Sequence, residues 1–433
     1  MDELRIINSK DINDQSLEDL IPQYNIQFKK IEYDVKKIIE DIKNEGDNAL
    51  IRYTKKFDSI DLNKNEIKIK DSEIKEAYNQ VDKDLLEALR FSKKNLIKFH
   101  STQLKNEWSI NILEGVSAGQ IYRPIESIGI YVPGGKAIYP STVLMAAVPA
   151  YVAGVKKISI CSPPQSDSNI APEIIVAANE FNITNIYKVG GVQAIAAMAY
   201  GTETISAVQK VVGPGNKWVN TAKQLLSKII AIDNPAGPSD ILIIADKSAN
   251  HNYVIADLIS QIEHDTDNIG IIVSESDELI KKITDNINFF VEKAERKEII
   301  KKALKNCFIV KAESLEDCVR ISNLIAPEHL EIITKYPREL LLNINNAGAV
   351  FLGPYSPVPL GDYSAGTNHI LPTGGYAKTY SGLSTYDFIK IMDVLECTEQ
   401  GLSNLSKSTM TLAKFEKFYS HREAIAMRLK DKK

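Results

Sequence analysis

The chain has 433 residues, a length that corresponds to roughly two to four ordinary domains. Apolar residues make up 44% and charged residues 25%, which is a globular composition and excludes disordered, collagen-like and coiled-coil chains. The formal net charge of −4 provides no basic surface for nucleic acid or an anionic membrane, so we expect a small molecule as the partner.

The first residues, MDELRIINSKD, are acidic and lack the apolar core of a secretory signal, so we expect a cytoplasmic protein. The most apolar run, residues 142–155, contains Pro149 and is shorter than the ~20 residues that span a bilayer. We therefore expect no membrane association. The four cysteines show no C-x-x-C spacing, and we interpret them as reduced structural thiols.

In chain order, residues 1 to about 120 are charged and helix-periodic, as in residues 31–53 and 74–99, and are typical of a supporting helical region. The pattern changes at Ile125, where IESIGIYV predicts a buried strand. PGG then ends that strand, and Ser141 is expected to cap a helix of small apolar residues.

Strand-like runs at residues 157–161, 186–189 and 208–212 alternate with helical stretches, which predicts a parallel sheet ending near Pro238. A second alternation follows: ILIIAD, a helix over residues 252–264, IGIIVSE, a long helix through Lys302, and CFIVKAE. The fold class is therefore α/β with two parallel-sheet units.

Residues 353–385 are rich in Gly, Pro, Ser and Tyr, and a loop of that length inside a compact enzyme is usually functional. Residues 386–430 return to helical periodicity, and we interpret them as a helical tail or dimer arm.

Four of the six histidines lie beyond residue 260, beside carboxylates or glycines. Gln261 and His264 project to the same side of a predicted helix and could reach one ion, although such a pair also occurs on solvated helix faces. Asp362 and His369 share the glycine-containing segment GDYSAGTNH, which either presents both inward or forms an Asx-type turn in water.

His421 and Glu416 are expected on the C-terminal helix, exposed by default. Taken together, Gln261, His264, Asp362 and His421 would supply two nitrogens and two oxygens. That set suits zinc or manganese, and because it contains no cysteine it favours a catalytic over a structural metal site.

In APEHL, Glu328 and His329 are adjacent after Pro327. A bend could bring both to one substrate, where they could remove a hydroxyl proton and activate water. The alternative is a strand start with one side chain buried and the other exposed.

The cofactor signal is distributed over three glycine turns that follow predicted strands, the position where open α/β sheets bind ligands. They are YVPGG at Tyr131, VGGVQA around Gln193, and GPGN ending at Asn216. The GxGxxG fingerprint is absent, because VGPGNKWV lacks a third glycine after Gly215.

YVPGGKAIYPSTVLM, VGGVQAIAA, GPGNKWV, NPAGPSD, SQIEHD, APEHLE, GDYSAGTNHILPT and FYSHR, in this order, closely resemble histidinol dehydrogenases. The resemblance covers nearly all of the chain beyond the first thirty residues. It implies two Rossmann-like α/β domains with a small helical C-terminal extension. Residues 1–123 and 239–380 would carry the metal and catalytic residues, 124–238 would bind NAD, and 381–433 would form a dimerisation arm.

The resemblance also implies roles for individual residues. One zinc ion per subunit would be held by Gln261, His264, Asp362 and His421, with the amine and imidazole nitrogens of histidinol completing its coordination. Glu328 and His329 become the acid/base residues. The other expected contacts are Ser239, His369 and Glu416 with substrate, and Tyr131, Gln193 and Asn216 with NAD.

The implied reaction is the NAD-linked four-electron oxidation of L-histidinol through L-histidinaldehyde to L-histidine, the last step of histidine biosynthesis, in a homodimer with a shared active site. The sequence departs from the family pattern at Asn234 and Asp240, where Met and Glu are common, and in a slightly short segment between GPGN and PAGPS. Three alternatives remain: an aldehyde dehydrogenase using a cysteine thioester, a metal-dependent hydrolase, and a catalytically silent binding protein.

Overall fold

The structure is a computed structural model that describes residues 4–13, 15, 17, 20–21, 29–134, 138–234 and 238–430. The motifs YVPGG and NPAGPSD run into residues 135–137 and 235–237, which lie outside the described residues.

The strands have the following bounds, in chain order: β1 (Arg5–Asn8), β2 (Trp108–Leu113), β3 (Val116–Pro124), β4 (Ser127–Tyr131), β5 (Lys157–Ser162), β6 (Asn185–Lys188), β7 (Lys210–Val212), β8 (Ala231–Ile232), β9 (Asp240–Ala245), β10 (Ile269–Ser274), β11 (Phe308–Lys311), β12 (His329–Ile333), β13 (Ala349–Leu352) and β14 (Ile389–Cys397).

The α-helices are α1 (Lys29–Glu45), α2 (Asp47–Asp58), α3 (Asp71–Gln80), α4 (Lys83–Ser101), α5 (Pro140–Ala153), α6 (Pro172–Asn179), α7 (Gly191–Tyr200), α8 (Lys217–Leu226), α9 (His251–Ile262), α10 (Asp277–Lys293), α11 (Lys297–Ala303), α12 (Leu315–Ile325), α13 (Pro337–Leu341), α14 (Val358–Tyr363), α15 (Glu399–Phe415) and α16 (Tyr419–Lys430). Short 3-10 turns occur at Ser9–Asp11, Lys64–Glu66, Leu304–Asn306, Tyr376–Lys378 and Thr385–Phe388.

The first sheet is parallel, in the order β6-β5-β4-β7-β8. Its strands are short, and the central strands β4 and β7 are almost wholly buried, as expected for a parallel sheet with helices packed against it. Helix α5 begins at Pro140, whose fixed φ suits the first helical position, and no side chain caps it. The predicted cap at Ser141 is therefore wrong, because Ser141 already lies inside the first turn.

The second sheet is also parallel, in the order β1-β11-β10-β9-β12-β13. Every residue of β9 and β10 is buried, which explains the unbroken apolar texture of ILIIA and IGIIVS. Strand β1 pairs along β11, so residues 5–8 extend this sheet. The prediction of two parallel-sheet α/β units is confirmed.

A third, antiparallel sheet has the order β14-β3-β2. Strand β14 falls within residues 386–430, where helical periodicity was predicted. The nine residues of β14 pair with β3 from Ile389↔Pro124 to Cys397↔Val116, and this long cross-strand ladder outweighs local helix preference. Only α15 and α16 confirm the helical prediction.

Strand β14 and helices α15 and α16 form what we call the C-terminal arm. Its residues are mostly exposed, and the exposed ones include large apolar side chains: Ile391, Leu395, Phe415, Tyr419 and Met427. Among the described residues, no helix has the length and apolar character needed to cross a membrane.

The helical prediction for residues 31–53 is confirmed by α1 and α2, which Gly46 separates with a φ of 55°. One further prediction needs correction. The predicted loop over residues 353–385 contains helix α14 and a 3-10 turn.

Candidate active site

Glu328 and His329 lie at the amino-terminal edge of the second sheet. After α12 the chain turns at Ala326, which adopts a left-handed φ of 56°, and β12 begins at His329. Both side chains are buried, with exposed fractions of 5% for Glu328 and 3% for His329. The bend thus places both groups inside the protein, and the alternative of one buried and one exposed side chain is wrong.

Asp240, the first residue of β9, fixes this pair. Its carboxylate Oδ1 accepts the Glu328 N–H at 2.7 Å, and its own N–H donates to Glu328 Oε2 at 3.1 Å. Its carbonyl oxygen lies 3.2 Å from His329 Nδ1. Asp240 therefore orients both side chains, a role that sequence analysis missed because it depends on β9 lying beside β12.

The Asp240 carbonyl also determines which nitrogen of His329 carries the proton. A carbonyl oxygen can only accept a hydrogen bond, so Nδ1 must be the donor. The neutral ring then keeps Nε2 as its basic atom, which lies 3.6 Å from Asp362 Oδ1. Glu328 Oε2 is 3.7 Å from Nδ1 on the other side.

Burial and charge act in opposite directions on this pair. Burial alone would lower the pKa of His329, but the carboxylates of Glu328 and Asp362 outweigh it and raise that pKa above its usual range. Burial raises the pKa of the Glu328 carboxyl, and the His329 charge partly opposes that effect. The two carboxylates therefore stabilise the protonated form of the His329 imidazole.

Asp362 and His369 come from neighbouring turns of the chain. Asp362 lies in α14, with 14% of its side chain exposed. His369 donates from Nδ1 to the Asp362 carbonyl oxygen at 2.9 Å, and its Nε2 lies 3.5 Å from the hydroxyl of Thr142 in α5. Burial lowers the pKa of His369. His369 therefore contacts α5, which follows a strand of the first sheet, and α14, which follows a strand of the second sheet.

Gln261 and His264 occupy the end of α9 and the turn after it. Gln261 is buried, and its backbone carbonyl accepts a hydrogen bond from the Asn268 side-chain amide at 2.9 Å. Its own side-chain Nε2 has no hydrogen-bond partner among the described residues. Burial lowers the pKa of His264, while the nearby Asp362 charge raises it. His264 thus lies within electrostatic range of Asp362.

These residues fit the donor set of a borderline divalent cation. An orphaned buried amide, an imidazole kept neutral by burial and a buried carboxylate provide oxygen and nitrogen ligands without cysteine. Within the described ranges, no three His, Cys, Asp or Glu side chains form a complete metal cluster.

The remaining expected ligand and two expected substrate contacts are placed differently. Ser239 is half-buried beside Asp240, and its carbonyl accepts the Ile269 N–H at 3.2 Å. His421 and Glu416 lie exposed on the C-terminal arm, where the His421 ring packs 5.2 Å from the Phe418 ring. One chain therefore does not bring His421 and Glu416 to the buried cluster.

The three expected cofactor contacts lie at the carboxyl edge of the first sheet, where β4 and β7 meet and the strand order changes direction. The Tyr131 hydroxyl accepts the Gly191 N–H at 3.1 Å, and burial raises the pKa of Tyr131 to about 12. Gln193 is buried with an unpartnered Oε1 in the described structure. Asn216 caps α8 by accepting two backbone N–H groups.

Beside this edge is a cavity of about 500 Å³, lined by the loops after β4 and β5 and by Asp58 at the end of α2. Gly213, at the end of β7, has a φ of 119°, and an added Cβ would lie 2.2 Å from the Tyr131 carbonyl oxygen. Only glycine fits there.

A buried ion pair holds the Gly213 peptide unit. Asp233 accepts the Gly213 N–H at 2.7 Å, Lys223 donates to the Gly213 carbonyl at 2.9 Å, and Lys223 pairs with Asp233. The two side chains are 2% and 3% exposed, respectively. Sequence analysis also missed this pair, since a lysine in an amphipathic helix is normally on its solvated face.

Three of the four cysteines are buried thiols with raised pKa values, which makes them poor nucleophiles. Cys161, Cys307 and Cys318 are buried, and burial raises the pKa of each thiol; the pKa of Cys307 reaches about 12. Cys397 is exposed at the end of β14. The thioester alternative therefore has no suitable cysteine.

The chain resembles known proteins over most of its length. The histidinol dehydrogenase family model matches residues 22–429. Curated histidinol dehydrogenases from Methanocaldococcus jannaschii and Clostridium acetobutylicum are 46% and 47% identical, covering 97% and 92% of this chain and 98% and 92% of theirs. The crystal structure of histidinol dehydrogenase from Elizabethkingia anophelis matches with a TM-score of 0.90 at 42% identity, over 93% of this chain and 92% of that chain. This chain therefore belongs to the histidinol dehydrogenase family.

Proposed function

We propose that this chain is a zinc-dependent, NAD-linked histidinol dehydrogenase that oxidises L-histidinol through L-histidinaldehyde to L-histidine, the last step of histidine biosynthesis. The observation that carries the proposal is the buried cluster of Glu328, His329 and Asp362 in a chain 46% identical to a curated histidinol dehydrogenase. This oxidation needs an acid/base pair, here Glu328 and His329, beside a carboxylate that can bind the metal, here Asp362.

The cofactors supply two functions when bound: zinc orients the substrate through its nitrogens, and NAD accepts hydride. Gln261, His264 and Asp362 would hold the zinc ion. Residues 124–238 form the proposed NAD-binding unit, with Tyr131, Gln193 and Asn216 at its carboxyl edge.

The protein's own residues would handle the protons. His329 Nε2, held by the Asp240 carbonyl through Nδ1, takes the proton of the alcohol as the first hydride leaves. Glu328, held by the Asp240 N–H, then removes a proton from the water that adds to the aldehyde. The hydrated aldehyde is deprotonated as it loses a second hydride, and the resulting carboxylic acid releases its proton to water to give the carboxylate, so two NAD molecules are reduced per substrate.

The C-terminal arm supports a homodimeric enzyme with a shared site. Its exposed apolar side chains need cover, since monomeric proteins rarely leave a large apolar patch in water. His421 and Glu416 on this arm would complete the metal and substrate sites of the partner subunit.

The test is NADH formation from L-histidinol, followed by absorbance and calibrated to substrate consumed. The metal-replete protein should form two NADH per histidinol, lose turnover after chelator treatment and regain it with zinc. A metal-replete protein that releases product without reducing NAD would instead be a hydrolase, and one that binds histidinol without turnover would be a binding protein. Either result would refute the proposal.

A further inference from the structure

Glu331 is a buried carboxyl residue that the mechanism does not use. It lies two residues after His329 in β12, so both side chains project from the same face of the strand. Its exposed fraction is 1%, and its neighbours in the strand, Leu330 and Ile332, are apolar. Burying a carboxyl group this deeply costs free energy unless it is hydrogen-bonded, so the groups that Glu331 contacts indicate its role.

Those partners belong to the two other segments of the candidate site. Glu331 Oε1 accepts the N–H of Val358 at 2.9 Å, and Val358 is the first residue of α14, the helix that carries Asp362. Glu331 Oε2 accepts from no donor in the described residues, and the Glu331 carboxyl faces the carboxyl of Asp257 in α9, one helical turn before Gln261, closely enough for the two to perturb each other's ionisation. Glu331 thus connects β12, α14 and α9.

Two carboxyl groups in contact cannot both be ionised, and here they share a proton. Burial raises the pKa of both carboxyls, and the Asp257 charge adds to the effect at Glu331. A proton held between the two carboxyls supplies the hydrogen-bond partner that Glu331 Oε2 otherwise lacks among the described residues, while Oε1 accepts the Val358 N–H.

We propose that Asp257 and Glu331 form a positioning pair that holds His329, Asp362 and Gln261 at their working separations. The role rests on the proposed function, because it concerns the reaction of that site. Neither side chain belongs to the acid/base pair or to the expected metal ligands. They act through the three segments that they join, and a displacement of about 1 Å in such segments can cost about 100-fold in rate.

The experiment compares replacements that keep or remove the hydrogen bonds. Glu331→Gln retains one acceptor for Val358 and one donor for Asp257, so its kcat should stay within about threefold of the parent enzyme. Glu331→Met has similar bulk but neither function, and we expect kcat and zinc affinity to fall about 10- to 100-fold, as for other residues that orient metal ligands. Zinc affinity is measured by competition with a chromogenic chelator.

Glu275→Met is the matched control. Glu275 is a half-buried carboxyl that follows β10 at the opposite edge of the same sheet, and burial raises its pKa as well. Its replacement should leave kcat and zinc affinity unchanged. A second pair at the partner residue, Asp257→Asn and Asp257→Leu, keeps the test decisive if Glu331→Met fails to fold, with Asn expected to be mild and Leu severe.

The outcomes separate the two proposals. A parent enzyme that forms no NADH from histidinol overturns the proposed function. An active parent with unchanged kcat and zinc affinity in Glu331→Met and Asp257→Leu overturns the positioning role. Equal losses in Glu331→Gln and Glu331→Met would also overturn it, because the role requires rescue by the amide. Rescue by Gln and Asn with loss in Met and Leu supports the pair.

Discussion

The buried Lys223–Asp233 pair makes a quantitative prediction about stability. Lys223→Met leaves the Asp233 carboxylate, which is 3% exposed, with one hydrogen-bond donor among the described residues, the Gly213 N–H at 2.7 Å. Removing one partner of a buried ion pair costs about 3–5 kcal/mol. We therefore expect the free energy of unfolding to fall by that amount. The double variant Lys223→Met/Asp233→Asn removes both charges and should lose only about 1–2 kcal/mol relative to the parent.

The assay is urea unfolding followed by circular dichroism, with hydrogen exchange of the peptide containing Gly213 as the local readout. The control is Lys281→Met, which breaks an exposed pair with Asp285 and should leave the free energy of unfolding nearly unchanged. Because Gly213 borders the proposed NAD crevice, the KM for NAD should rise in Lys223→Met. A stability loss below about 1 kcal/mol, or a double variant as unstable as the single one, would refute the reasoning.

Three other predictions concern the proposed chemistry. Glu328→Gln should slow oxidation of the aldehyde by about 100- to 10,000-fold in a single-turnover assay, and an unchanged rate would remove Glu328 from water activation. Subunit exchange between inactive His421→Ala and His329→Asn proteins should restore about a quarter of the parental activity, because half of the random dimers are mixed and each has one intact site; no recovery would mean that each site is built within one chain. A thiol-alkylating reagent at neutral pH should modify Cys397 and spare activity, since the other thiols are buried, and inactivation matched by loss in Cys397→Ser would contradict this.

The parallel sheets could be predicted because their strands are buried on both faces and read as continuous apolar runs. ILIIA and IGIIVS are such runs, and they became β9 and β10. The strand in the C-terminal arm could not be predicted in the same way. Nearly every residue of β14 is exposed, so its pairing with β3 leaves no burial pattern in the sequence.

The candidate site was predictable where chemistry is carried by unusual residue types and not where it depends on strand order. Glu328, His329 and Asp362 stand out as polar groups among apolar neighbours, and the structure brings them together. Asp240 and Glu331 look like ordinary strand residues until β9 and β12 are known to be adjacent. The assignment of metal ligands and cofactor contacts stays a prediction that the experiments above address.

The location of Glu328 and His329 at the amino-terminal edge of the second sheet has a consequence for protein engineering. The opposite edge, where Asp246 accepts the Lys335 N–H at 2.9 Å and Glu275 follows β10, carries none of the proposed chemistry. Surface connections without a functional duty tolerate insertions best. The turns at this edge are therefore the places to introduce a reporter peptide or an affinity tag while keeping an active enzyme.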